Sequence, residues 1–162
     1  MMEQQTPMKP PFAKLLCPTD LSDTGDAAVP VAYTLVADKG TVHLLHVNVP
    51  SFVLSPLDGM PVVSVPVTAE GLEALEKRAR QRLQRLAPEA AIARGVKTEH
   101  HVIHDVDPAS TIDREARRLG VDAIVIGTHG RTGLGRVLMG SVATDVLKRA
   151  TMPVVLCRGR RT

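Results

Sequence analysis

Apolar positions along the chain alternate between short dense runs and longer stretches spaced like a helix. The dense runs are Ala13-Lys-Leu-Leu-Cys17, Thr41 to Asn48, Val96 to Ile103, Ala123 to Ile126 and Val154 to Cys157. They are short, rich in Val, Ile, Leu and Thr, and most are bounded by Gly, Pro or Asp, which predicts strands. The segment from about Asp23 to Asp38 is rich in Ala and Val and predicts a helix stopped by Gly40. Pro30 within it removes a hydrogen bond, so this helix either bends there or starts later. From Thr68 to about Leu86, residues Leu72, Leu75, Ala79, Leu83 and Leu86 form one stripe. That spacing predicts a core-facing helix, with Glu73 and Lys77 placed for an i,i+4 pair and Pro88 as its end. Asp107-Pro108 combines a capping residue with a first-turn proline and opens another helix. Ile112, Ala116 and Leu119 face its core, and Gly120 stops it. A last helix runs from Ser141 to about Arg149.

The order is therefore βαβαβαβαβ, which implies a parallel sheet covered on both faces with right-handed crossovers. Ala123 to Ile126 is apolar throughout, as expected of a strand buried on both faces. Val49 to Val67 breaks the pattern, with prolines at 50, 56, 61 and 66 and many apolar residues without a period. A loop of that length serves as a lid, a partner contact or an insertion folded against the sheet edge. Residues 1–11 are polar with three prolines and read as a disordered lead; 12–158 read as one domain and 159–162 as a basic tail.

Composition narrows the function. The chain has 162 residues, 44% hydrophobic and 23% charged, as in ordinary soluble domains. Aromatics are only 2%, which removes the stacking platforms that single-stranded nucleic acids use. The net charge is only +3, and the basic residues are spread along helices except for the tail Arg158-Gly-Arg160-Arg161, which reads as a solvated terminus, so no nucleic-acid partner is expected. No apolar run reaches the roughly 18 residues of a membrane span, and the start lacks the regions of a signal peptide. A cytoplasmic protein is expected, with Cys17 and Cys157 as free core thiols.

Candidate chemistry centres on Ile124 to Val142, where an apolar strand breaks at Gly127 and a helix restarts at Gly140-Ser141. Glycines let backbone approach a ligand closely, successive N–H groups form an anion nest, and a helix start adds its positive dipole end. Arg131 supplies full charge, and Arg136 is a second candidate for it. The loop is not a Walker A sequence, since Gly-Lys-Ser/Thr is absent, nor a G-x-G-x-x-G fingerprint. The pattern is G-x2-G-x9-G-S at Gly127, Gly130, Gly140 and Ser141. Asp20 follows the first strand, where open α/β sheets place ligands. The alternative role for it is a turn or cap, with Ser22 or Asp23 capping the next helix. Histidines suggest no metal site. His43 and His46 fall on opposite strand faces, as do His100 and His101, and the latter pair with His104 lacks a ligand spacing with Cys or carboxylate.

The Gly127, Gly130, Gly140 and Ser141 pattern resembles the signature of the universal stress protein family, in its ATP-binding branch. The resemblance extends from Lys14 to Cys157 and is weakest over Val49 to Val67. It implies a doubly wound five-stranded parallel sheet of order 3-2-1-4-5, a Rossmann-like fold of the adenine nucleotide alpha hydrolase type. Strands one and four are then neighbours, so Asp20 and the glycine loop meet at the switch point. By the same resemblance Asp20 contacts adenosine and the Val47 backbone contacts adenine, beside Pro18 and Thr19. The triphosphate of ATP, or the phosphate of AMP, rests on Gly130, Arg131, Gly140, Ser141 and Val142, with Gly127, Thr128 and His129 lining the loop. Mg²⁺ accompanies the phosphates. The implied function is a nucleotide-dependent regulatory or stress-response protein. The alternative is a slow ATPase or nucleotidyl-transfer enzyme on the same fold, for which His129 is the one candidate base. Val154 to Cys157 becomes an edge strand guarded only by Pro153 and Arg158, so a homodimer through it is expected.

Overall fold

The computed structural model describes residues 10–50, 52–54, 61–63, 68–128 and 140–158, with backbone only over 52–54 and 61–63. Strands β1 (Phe12–Pro18), β2 (Val36–Asn48), β5 (Lys97–His104), β6 (Ala123–Gly127) and β7 (Val154–Cys157) make one sheet. Its order is β5-β2-β1-β6-β7, and every pairing is parallel. Numbered within the sheet this is 3-2-1-4-5, as expected. Two further strands, β3 (Phe52–Leu54) and β4 (Pro61–Val63), pair antiparallel as a separate hairpin. The loop expected over Val49 to Val67 thus contains paired structure. Three residues per strand are too few to display an alternation of their own.

Alternation along each central strand splits the core in two. Leu15 and Cys17 of β1, Val42 and Leu44 of β2, and Ala123 and Val125 of β6 face one side. There they meet α2 (Ala28–Leu35) and Leu83 of α3 (Ala69–Gln84). Leu16, Leu45, Ile124 and Ile126 face the other, against α5 (Pro108–Leu119) and α6 (Ser141–Arg149). Both apolar faces of β6 are consequently covered, which is why its sequence carries no polar alternation.

Local chemistry sets the helix ends. Asp107 Oδ1 accepts from the Ser110 N–H at 3.0 Å, Pro108 occupies the first turn, and Gly120 ends α5 at φ 60°. Thr68 caps α3 through the Gly71 N–H at 3.1 Å, and Ser22 rather than Asp23 caps α1 (Asp23–Asp26) through Gly25. Pro30 is resolved by a restart. The chain breaks at Ala27 and α2 begins at Ala28, so the proline sits in a first turn that needs no donor from it.

Four boundaries differ from the sequence reading. The helix expected to reach Asp38 ends at Leu35, and Gly40 lies inside β2 instead of stopping a helix. A Cβ at Gly40 would lie 2.7 Å from the Ala13 carbonyl, so the glycine serves strand packing where the β1–β2 register shifts. Pro88 opens the short helix α4 (Glu89–Ala93), while α3 has already ended at Gln84. On α3, Ala79 and Leu83 are buried, but Leu72 and Leu75 remain 37% and 46% exposed. Periodicity reports an apolar stripe, not how much of it has sheet opposite. The i,i+4 pair seen on α3 is Glu76–Arg80 at 2.7 Å.

Candidate functional site

The C-terminal ends of β1, β2 and β6 open together with the N-termini of α5 and α6 around a cavity of about 370 Å³. That size lies within the range of small-molecule sites. Pro18, Thr19, Asp20, Val47, Gly127, Gly140, Ser141 and Val142, all anticipated from sequence, line this one cavity. Thr128 does not line it but closes the base of the glycine loop. Its N–H donates to the Cys157 carbonyl at 2.8 Å, and its own carbonyl accepts from the Gly140 N–H. His129, Gly130 and Arg131 lie outside the described residues, as does Arg136.

One end of the cavity is built by α6. Gly140 caps this helix without a side-chain hydrogen bond, in contrast to Ser22, Thr68 and Asp107 on α1, α3 and α5. The first-turn residues Ser141, Val142 and Ala143 line the cavity. A helix start that no side chain caps offers backbone N–H groups and a positive dipole end to an anion.

The opposite end is held by a chain of polar contacts along Pro18 to Ser22. The Thr19 N–H donates to the Leu45 carbonyl at 2.9 Å, and Thr19 Oγ donates to Asp26 at 2.6 Å. Asp26 in turn pairs with Arg82 at 3.0 Å. Asp20 Oδ1 accepts from the Ser22 N–H at 3.0 Å and from Ser22 Oγ at 2.5 Å. Leu21 adopts φ 62°, a left-handed conformation that turns the chain sharply between them. These bonds fix the direction of the Asp20 carboxylate before any ligand arrives.

Sequence reasoning missed His46, Gly25 and Asn48 as cavity residues. His46 is buried, and its Nδ1 lies 2.9 Å from the Thr19 carbonyl, an acceptor only, so Nδ1 carries the proton. Its position beside Val47 at the end of β2 was the available signal. Gly25 brings α1 against the Asp20 loop so closely that a Cβ would stand 2.2 Å from Asp20 Oδ1. Gly127 repeats this on β6, where a Cβ would meet the Thr24 carbonyl at 3.0 Å. Nothing local in the sequence distinguishes Gly25 from a helix glycine.

The other candidates resolve differently. Cys17 and Cys157 are free and buried, and burial raises both thiol pKa values. His100 faces away from His101, and His104 lies 3.2 Å from the Asn48 amide. Among the described residues no helix is long and apolar enough to cross a membrane.

A five-stranded parallel sheet with helices on both faces and a cavity at its strand-order reversal defines the class as a doubly wound, Rossmann-like α/β protein. Residues 11–158 match the model of the universal stress protein family, and the chain belongs to that family. It is 35% identical to universal stress protein MJ0531 of Methanocaldococcus jannaschii over 91% of this chain and 82% of that one. It is 32% identical to universal stress protein YxiE of Bacillus subtilis, over 91% and 99% respectively. The solved structure of the hypothetical protein MJ0577 superposes with a TM-score of 0.70 at 25% identity, covering 92% of this chain and 97% of that chain. A universal stress protein in complex with cAMP and an Arabidopsis thaliana family member with AMP bound share the fold, each with a TM-score of 0.57. They are 19% and 18% identical, covering 92% and 91% of this chain and 98% and 92% of theirs.

Proposed function

We propose that this chain binds an adenine nucleotide, ATP foremost, in the cavity at the ends of β1, β2 and β6, and acts as a nucleotide-dependent regulatory protein. The observation that carries the reading is the convergence of Asp20, Val47, Gly127, Gly140, Ser141 and Val142 on one cavity from β2, β6, α6 and the turn after β1. The cavity is polar at both ends and apolar between, with Leu45, Ile112 and Ile126 in its wall. The apolar wall suits the base, the Asp20 end the ribose joined to it, and the start of α6 the phosphates that the ribose carries. The base would lie against Val47 and the strand ends, with ribose hydroxyls donating to Asp20. Phosphates would take the N–H groups of Ser141 and Val142 and the charge of Arg131. Two solved structures that share the fold hold cAMP and AMP, which supports an adenine nucleotide as the ligand class. Mg²⁺ would enter with the phosphates as their counter-ion. The dimer expected through β7 belongs to the same reading.

Asp20→Ala tests the orientation. One lost hydrogen bond to a charged group is worth roughly 1.5–3 kcal/mol, so ATP affinity should fall about 10- to 100-fold. Inorganic triphosphate affinity should be unchanged. An equal loss for both ligands would contradict the assignment of Asp20 to the ribose end.

A further inference from the structure

The parallel register sets His43 of β2 beside Glu99 of β5, and Leu45 beside His101. His43, Glu99 and His101 therefore share the sheet face that α5 packs against. His43 Nδ1 lies 3.1 Å from His101 Nε2 and 3.3 Å from Glu99 Oε2, and His101 Nε2 lies 3.9 Å from that same oxygen. A tetrahedral zinc ion with bonds of about 2.0–2.1 Å holds its ligand atoms roughly 3.3 Å apart. The three observed separations bracket that value. We propose that His43, His101 and Glu99 form a three-ligand site for a divalent transition metal of the zinc class, with a fourth position left for water.

Two imidazoles and one carboxylate suit such an ion in donor type. Burial lowers the pKa of both histidines, so each offers a lone pair at neutral pH instead of a proton. Access is graded from the sheet edge inward, with side-chain exposures of 54% for Glu99, 20% for His101 and 6% for His43. Surrounding charge is mixed. Lys14 of β1, Arg118 of α5 and Arg80 of α3 oppose a cation, whereas Glu115 favours it and holds Arg118 at 2.6 Å. A plain hydrogen bond between the imidazoles accounts for the 3.1 Å contact but leaves the convergence of Glu99 on both rings without a role. Glu99 and His101 are i,i+2 on β5, but His43 lies 58 residues before His101 on the neighbouring strand, so the set as a whole appears only in the fold. An ion there would fasten the edge strand β5 to β2, adding its binding energy to the folded state. The site is separate from the nucleotide cavity, which none of its three residues lines.

The test is a Co²⁺ titration of the full, tag-free, chelator-treated chain, read by visible absorption, followed by Zn²⁺ competition. The expected result is one tetrahedral-type spectrum per chain, abolished by Zn²⁺, with a higher melting temperature in Zn²⁺. His101→Asn and Glu99→Gln, both near the open edge and checked for fold by circular dichroism, should each weaken Co²⁺ binding. Loss of an outer-shell partner alone costs about 10- to 100-fold, so loss of a direct ligand should reach at least tenfold. His104→Ala should leave affinity unchanged. Absence of the tetrahedral spectrum, or undiminished binding in both site variants, would overturn the proposal.

Discussion

Glycine decides how closely α1 approaches the cavity. At Gly25 a methyl group would stand 2.2 Å from Asp20 Oδ1, so Gly25→Ala must push the carboxylate out of its present direction. Overpacking of this kind costs about 1–3 kcal/mol, and ATP affinity should fall together with stability. Gly120→Ala is the matched control. Its φ of 60° strains an alanine, yet nothing lies within 4 Å of the new methyl, so about 1 kcal/mol of stability should be lost with nucleotide affinity intact. Denaturant melts and ATP titrations of the two variants check both statements. If both variants lose affinity alike, the Gly25 contact does not orient Asp20. Asp20 was legible because a carboxylate after a first strand falls where ligands bind. Gly25 and His46 were not, because their roles depend on contacts made by other segments.

At the level of elements, the turn between β5 and α5 carries a charge that stabilises the fold only while ionised. Asp105 accepts from Thr111 Oγ at 2.7 Å, from the Asp107 N–H at 3.2 Å and from Arg114 at 3.3 Å. These bonds, Thr111 foremost, lower its pKa from 3.8 to about 2. A carboxylate with a depressed folded pKa contributes fully above its unfolded value and loses that contribution as pH falls through the folded one. Asp105→Asn should therefore melt below wild type at neutral pH, and the gap should close between pH 3.8 and about 2. A gap independent of pH would show that the charge is not what matters. The five sheet strands and the helices after Asp107 and Gly140 were readable because period, cap and breaker agree there. Agreement failed at three places. Gly40 looked like a helix stop but sits where two strands shift register, Leu72 and Leu75 continue a stripe past the sheet beneath it, and Pro88 starts one helix without ending another.

For the whole molecule, sheet order does most to create the candidate site. Placing β1 beside β6 brings the Asp20 turn and the Gly127–Gly140 flanks to one opening, and leaves β7 paired on one side to β6. Leu156 on that edge strand is 38% exposed, while Val155 packs partly into the core. Leu156→Lys is thus the cleaner probe of association. It should turn a sedimenting dimer into a folded monomer, and a wild type that stays monomeric at micromolar concentration would refute pairing through β7. Amide chemical-shift mapping during an ATP titration is the sharpest test of nucleotide binding in the cavity. Saturable shifts are expected, concentrated at Thr19, Asp20, Val47, Gly127, Gly140, Ser141 and Val142. Shifts centred elsewhere, or none at millimolar ATP, would contradict it.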